Sequence, residues 1–195
     1  MILPIVKYGH PVLRQKGARI EKITPEIRQL IEDMIETMYE ANGVGLAAQQ
    51  IGQALQLTVI DVADIEDRPS TLEVNGKPVE IADFMPLVLV NPEITAVGAA
   101  VTGGEGCLSF PEIYGDVSRP AVVDVTALNA QGKKLSFRAG GLLARAVQHE
   151  TDHLHGILFI DRMNSSEKKK LQDEMALLQA ETREDLAKAQ KKTRR

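Results

Sequence analysis

Tryptophan is absent from the chain and aromatic residues make up only 4% of it, so its core must be aliphatic. A single cysteine excludes an internal disulfide and leaves one thiol to be structural, catalytic or a metal ligand. No apolar run approaches the ~18 residues of a membrane-spanning helix, and the N-terminus lacks the basic-then-apolar layout of an export signal. A cytoplasmic protein without membrane contact is expected. A net charge of −4 supplies no basic field, so no specific nucleic-acid partner is expected either. What is present, 44% apolar and 26% charged residues in a chain of 195, is enough for one well-buried core and short for two full domains.

The chain is organised around Gln148-His149-Glu150-Thr151-Asp152-His153. Residues four apart on a helix lie one turn above each other, so His149 and His153 form a two-pronged metal clamp. Glu150 follows the first ring directly and can trade protons with a water at the metal's open position. The bland reading is a helix with two half-buried histidines. The preceding Gly141-Leu142-Leu143-Ala144-Arg145-Ala146-Val147 is apolar enough to carry both rings into the interior, where imidazoles need partners and a metal supplies one.

Before the clamp, His10-Pro11 reads as part of an extended arm, with His10 a surface position rather than a ligand. Thr24-Pro25-Glu26 starts a helix, with Ile27, Leu30, Ile31, Met34, Ile35 and Met38 on its core face and Asn42-Gly43 as its stop. Gly43-Val44-Gly45-Leu46-Ala47-Ala48-Gln49-Gln50 permits close backbone approach to a ligand, and its terminal amide can offer an N–H to an oxyanion. A plain helix-to-strand connection is the competing reading of that stretch, and it does not fit a phosphate loop.

Leu57 to Asp61 is expected as a strand, 64–83 as a surface excursion with a hairpin tip at Asn75-Gly76, and Leu87 to Val90 as a buried strand ended by Asn91-Pro92. Thr102 to Pro111 places Cys107 in a glycine-rich turn, and 121–128 with 134–137 flank Asn129 to Gly132 as a hairpin. After Gly156, Ile157 to Ile160 is expected as a short buried strand. A last charged helix, capped by Ser165 or Ser166, docks through Leu171, Met175 and Leu178 until Thr182 interrupts the stripe, and the basic end Lys191 to Arg195 frays.

A catalytic site of this type takes three protein ligands and keeps one position open. The longer metalloprotease pattern would need a histidine at 159, where Phe159 stands. Glu174, on the charged last helix, is a weak alternative because an exposed acid is its commoner role. Cys107 remains, and a thiolate with two imidazoles is a sensible mixed donor set.

Three stretches together resemble the peptide deformylase family: Gly43 to Gln50, Glu105-Gly106-Cys107-Leu108-Ser109, and Gln148 to Gly156. The likeness runs from the His10-Pro11 arm to about Arg162. It implies an α+β fold in which antiparallel β-sheets wrap a central metal-binding helix, with an N-terminal and a C-terminal helix, so that 1–163 is the catalytic domain and 164–195 a charged helix and tail. It implies removal of the formyl group from N-formylmethionyl peptides. By position, Cys107, His149 and His153 hold one divalent ion, Glu150 is the acid/base, and Gln50 with the backbone N–H of Leu108 holds the oxyanion. Val44, Gly45, Gly106, Tyr114, Leu142 and Ala146 contact substrate. The family implies Fe2+ as the native ion, with Zn2+, Ni2+ or Co2+ as substitutes, and a pairing of Asp152 with Arg119. A monomer that meets the ribosome surface through its basic tail is the accompanying expectation.

The sequence departs from some relatives in the longer stretch 64–83, in Tyr114 where others carry an arginine, and in Arg145 where others are apolar. Two other readings of the metal motif stand beside deformylation: an amide hydrolase acting on unformylated peptides, and a non-catalytic metal-holding module. The intact Gln50, Glu150 and Cys107 argue against the latter, because a binder needs no acid/base beside an open metal position.

Overall fold

The structure, a computed structural model, describes residues 1–193. Thr24 accepts the Ile27 N–H through its hydroxyl at 3.3 Å and Pro25 takes the first helical position, so α1 (Pro25–Glu40) begins where its capping chemistry dictates. Asn42, at φ +54°, turns the chain out of the helix. Met34 and Met38 are wholly buried, as the spacing of the apolar face requires.

Short strands β1 (Gly45–Ala47) and β2 (Leu57–Ile60) follow, joined by a single helical turn over Ala48–Ile51. Next come β3 (Ser70–Val74) and β4 (Lys77–Pro78), closed by Asn75-Gly76 with both residues at positive φ. Two long strands, β5 (Leu87–Cys107) and β6 (Phe110–Leu128), pair along most of their length, and β7 (Lys134–Gly140) pairs back on β6. All seven strands form one antiparallel sheet in the order β1-β2-β5-β6-β7-β3-β4. The chain then enters α2 (Gly141–Leu154), followed by α3 (Phe159–Arg162), α4 (Ser165–Lys170) and α5 (Gln172–Thr193).

Alternation along the central strands explains why they read as unbroken apolar runs. Leu57, Val59, Val88 and Val90 pack with Met34 and Met38 of α1, while Ile60, Leu87 and Leu89 pack with Leu143 and Val147 of α2. The sheet is thus a middle layer with a helix on each face. A third cluster joins Phe110, Phe159, Met175 and Leu178, and docks α5 on the body. In it Tyr8 stacks on Phe110 at 4.7 Å and Phe159 meets Phe110 edge-on at 5.1 Å.

Several expectations are corrected. Asn91-Pro92 does not end β5 but marks a shift of register: Asn91 sits at φ +52°, and its side-chain amide exchanges two 2.9 Å hydrogen bonds with the backbone of Ile20. Thr102 to Cys107 is strand rather than turn, and only Leu108 and Ser109 turn the chain between the paired Cys107 and Phe110. The stretch 64–83 is no mere surface excursion, since Leu72 is in the core and β3 extends the sheet beyond β7. Ile157 to Ile160 is not a strand; its buried residues Phe159 and Ile160 open α3, an ambiguity inherent in short apolar runs.

Asn164, not a serine, caps the first of two C-terminal helices, accepting the Glu167 N–H at 2.9 Å. Docking of α5 continues through Thr182, which is buried against Gly9. Lys191 to Thr193 is helical rather than frayed, and Arg194 and Arg195 lie outside the described residues.

Candidate metal centre and active site

Helix α2 is held in place by the stretch just before and within β3. Gly141 adopts φ +64° and a Cβ there would strike the Pro69 carbonyl, so glycine is required. The Pro69 carbonyl accepts the Leu142 N–H at 3.2 Å, and Ser70 Oγ accepts the Leu143 N–H at 3.0 Å. Two of the helix's unpaired N-terminal donors are satisfied in this way. Every residue from Leu142 to Leu154 is buried, which carries both histidines inside.

His149 and His153 stand one turn apart with ring centroids at 5.1 Å. Cys107 arrives from the end of β5, its Sγ 3.3 Å from His153 Nε2. One ligand atom from each of Cys107, His149 and His153 lies within 4.8 Å of the others, and no other such group of potential metal ligands occurs among the described residues. His10 is elsewhere, its Nδ1 accepting the Val12 N–H, and Glu174 is exposed on α5.

Glu105, which the sequence reading did not single out, orients the first ring. His149 Nδ1–H donates to Glu105 Oε2 at 3.0 Å, which leaves Nε2 free for an ion. The same carboxylate accepts from Arg119 Nε at 2.6 Å, Arg119 Nη2 at 3.0 Å and Arg145 Nη1 at 2.8 Å. Arg119 continues to Asp152 at 2.8 Å, the pairing the family resemblance implied, and Arg162 closes on the other Asp152 oxygen at 2.7 Å. Burial disfavours the charge on Glu105, but hydrogen bonds from His149 and Arg119 outweigh it and hold the carboxyl well below its usual range. An acid placed two residues before the thiol is the signal that could have found it.

Burial works against a proton on both rings. On His149 it is outweighed by hydrogen bonds to Cys107 and Glu105, so that ring's pKa is raised, while burial and repulsion from His149 and Arg119 lower that of His153. Glu150 sits beside them, 4% exposed, and burial raises its carboxyl to about 7. A cation at the adjacent ligands would pull that value down. A Cβ at Gly45 would fall on the Glu150 carboxylate, so the glycine makes room for the acid. Gln50 is fixed in orientation: its Oε1 accepts the Ala47 N–H at 2.8 Å, which turns Nε2 toward Cys107 Sγ and Ser109 Oγ, each at 3.4 Å.

These groups face a cleft of about 580 Å³. Val44, Gly45, Gln50, Gly106, Cys107, Leu108, Tyr114, Leu142, Ala146, His149 and Glu150 all line it, while His153 lies behind. The Tyr114 ring rests on Gly106, and the Leu108 side chain rests on Gly43. Arg68, Glu105, Glu112 and Arg145 also line the cleft and were not among the predicted site residues.

The donor set suits a bound ion. A soft sulfur and two imidazoles converge, one ring is oriented from behind by a carboxylate, and the adjacent Glu150 Oε2 is buried without a hydrogen-bond partner. That combination is chemically wasteful unless a ligand completes it.

Comparison with known proteins agrees with this reading. The family model described as polypeptide deformylase matches residues 2–169. A peptide deformylase from Methylacidiphilum infernorum is 44% identical over 90% of this chain and 92% of that protein. The crystal structure of a peptide deformylase from Synechococcus elongatus in complex with actinonin is 40% identical, with a TM-score of 0.75 over 89% of this chain and 86% of that one. Arabidopsis thaliana peptide deformylase 1B in complex with an inhibitor superposes with a TM-score of 0.81 at 36% identity, over 94% of this chain and 93% of that one. With sequence, fold and near-complete coverage in agreement, the chain belongs to the peptide deformylase family.

Proposed function

We propose that Cys107, His149 and His153 hold the metal of this deformylase and that Glu150 is its acid/base. The family's activity is metal-dependent hydrolysis of the N-formyl amide of newly made polypeptides. The observation that carries the assignment is the approach of the Cys107 sulfur to His153 across 46 residues of sequence, with Glu150 facing the same cleft.

Cys107, His149 and His153 would hold a divalent ion, which would supply Lewis-acid polarisation of the formyl group and acidify a water. Glu150 takes a proton from the attacking water and delivers it to the departing amine, a role open to a buried carboxyl whose Oε2 has no other hydrogen-bond partner. Gln50 Nε2, locked by the Ala47 amide, and the backbone N–H of Leu108 donate to the oxygen that becomes negative as the carbon turns tetrahedral. Val44, Leu142 and Ala146 form the apolar side of the cleft that takes the methionine side chain, while Gly45, Gly106 and Tyr114 bound the path of the peptide. Formate and a free N-terminus leave.

We take ferrous iron as the native ion from the family likeness; zinc, nickel or cobalt could replace it, because a mixed thiolate and imidazole set accepts all four. The accompanying reading is a cytoplasmic monomer that meets the ribosome surface through its basic end. The exposed Lys191 near the end of α5 supports the surface contact, while Lys188 is held by Glu184 at 2.8 Å. The test of the catalytic assignment is formate release from formyl-Met-Ala-Ser by metal-loaded protein. Release that falls by about 10²-fold or more in Glu150→Gln with metal content unchanged supports it. Equal release by both proteins, or faster cleavage of an unformylated peptide, overturns it.

A further inference from the structure

Arg68 is the one arginine on the cleft whose guanidinium is not committed to a carboxylate among the described residues. Arg145, the other cation lining the cleft, is spent on Glu105 and on the carbonyls of Val101 and Val117. Arg68 makes a single 3.2 Å hydrogen bond, from Nη2 to the Gly104 carbonyl, and is otherwise exposed. A guanidinium presents five N–H donors in a planar fork suited to a carboxylate, so most of its capacity is open.

Its position is fixed from behind. The next two residues are tied to the start of α2, Pro69 through its carbonyl to the Leu142 N–H and Ser70 through its hydroxyl to the Leu143 N–H. The Gly104 bond secures the side chain to the strand that ends in Cys107. Arg68 and Leu142 line both the cleft and an adjoining surface groove of about 310 Å³ that includes Pro69, Val101 and Pro120. The Gly104 carbonyl that anchors Arg68 lies two residues before Gly106 on the strand that bounds the peptide path, so residues that follow the formyl-methionine along that strand come within reach of its guanidinium.

We propose that Arg68 is a specificity-determining residue that favours substrates carrying an aspartate or glutamate in the first positions after the formyl-methionine. The inference rests on the deformylase reading above. Glu112, an acid on β6 that also lines the cleft, forms no ion pair with Arg68 among the described residues. Arg68 is thus a cation on this cleft that no carboxylate neutralises among the described residues.

The experiment compares kcat/KM for formyl-Met peptides in which the second, third or fourth residue is Asp, Ala or Lys, using metal-loaded protein at low and high salt. The expected result is a preference for Asp over Lys of about three- to tenfold at one of these positions, weakening as salt is added, as for a solvent-exposed charge pair. Arg68→Lys retains the preference, Arg68→Ala removes it and Arg68→Glu reverses it. The alanine and glutamate variants both lose the Gly104 contact, so a purely structural role would affect them alike and would not make the sign of the preference follow the sign of the side chain. Turnover of formyl-Met-Ala-Ser with no charge preference, or with one that Arg68→Glu leaves unchanged, overturns the role of Arg68 alone. No turnover of any formylated peptide overturns this inference together with the reading it rests on.

Discussion

Replacing Glu105 by glutamine isolates the contribution of the buried charge network to the metal site. The carboxylate is 6% exposed and accepts four hydrogen bonds, two from Arg119, one from Arg145 and one from His149. Glutamine keeps the volume and one acceptor but removes the negative charge and places an N–H2 group against donors. Arg119 retains Asp152, whereas Arg145 is left with backbone carbonyls only. Removing one partner of a buried ion pair costs about 3–5 kcal/mol, and the retained acceptor places this case near 3 kcal/mol.

A second, separable effect falls on the ion. Glu105 selects the His149 tautomer that leaves Nε2 for coordination, and loss of such an outer partner costs roughly 10–100-fold in metal affinity. Urea denaturation of the metal-free protein reads the first quantity, and competition with a chromophoric chelator reads the second. A stability loss below about 1 kcal/mol would refute the stabilising role of the network, since that is the scale of an exposed pair. Metal affinity unchanged in the same variant would refute the orienting role of Glu105.

Further outcomes follow from single contacts. Ser70→Ala removes the hydroxyl that accepts the Leu143 N–H at the start of α2 and is expected to cost about 1 kcal/mol in urea denaturation. Gly45→Ala places a methyl group on the Glu150 carboxylate, so kcat should fall while metal content, read by elemental analysis, stays at wild-type level. Asp161 has its pKa lowered: burial opposes the charge but is outweighed by hydrogen bonds from Arg14 and the Leu158 N–H. A group whose folded pKa is depressed stabilises the fold above its unfolded pKa and loses that contribution as pH falls through the folded value. Asp161→Asn should therefore cost about 0.5–1 kcal/mol at pH 7, after allowance for solvent screening, and nothing below both pKa values, as read by urea denaturation across pH.

Much of the fold and of the site was legible because the signals are local. The cap and apolar face of α1, the hairpin of β6 and β7, and the pair of histidines on α2 depend on residues within one or two turns of each other. The lone thiol could be matched to the histidines by elimination, and the structure brings all three together. What escaped depends on distant partners. Asn91-Pro92 reads as a stop until the bond of Asn91 to Ile20 is known. The stretch 64–83 reads as a surface loop because its role, holding the start of α2 through Pro69 and Ser70, crosses more than 70 residues. Glu105 looked like part of a glycine-rich turn, and its four donors arrive from β6 and α2. Thr182, a polar residue in an apolar stripe, is buried because Gly9 leaves room beside it.

X-ray absorption of the zinc-loaded protein tests the central assignment most directly. The expected spectrum contains one sulfur at about 2.3 Å and two imidazole nitrogens at about 2.0–2.1 Å, with a light atom in the remaining position. The sulfur shell should vanish in Cys107→Ala while nitrogen scattering from the rings persists. A zinc environment of nitrogen and oxygen alone in the wild-type protein, or a sulfur shell that survives the loss of Cys107, would contradict the assignment.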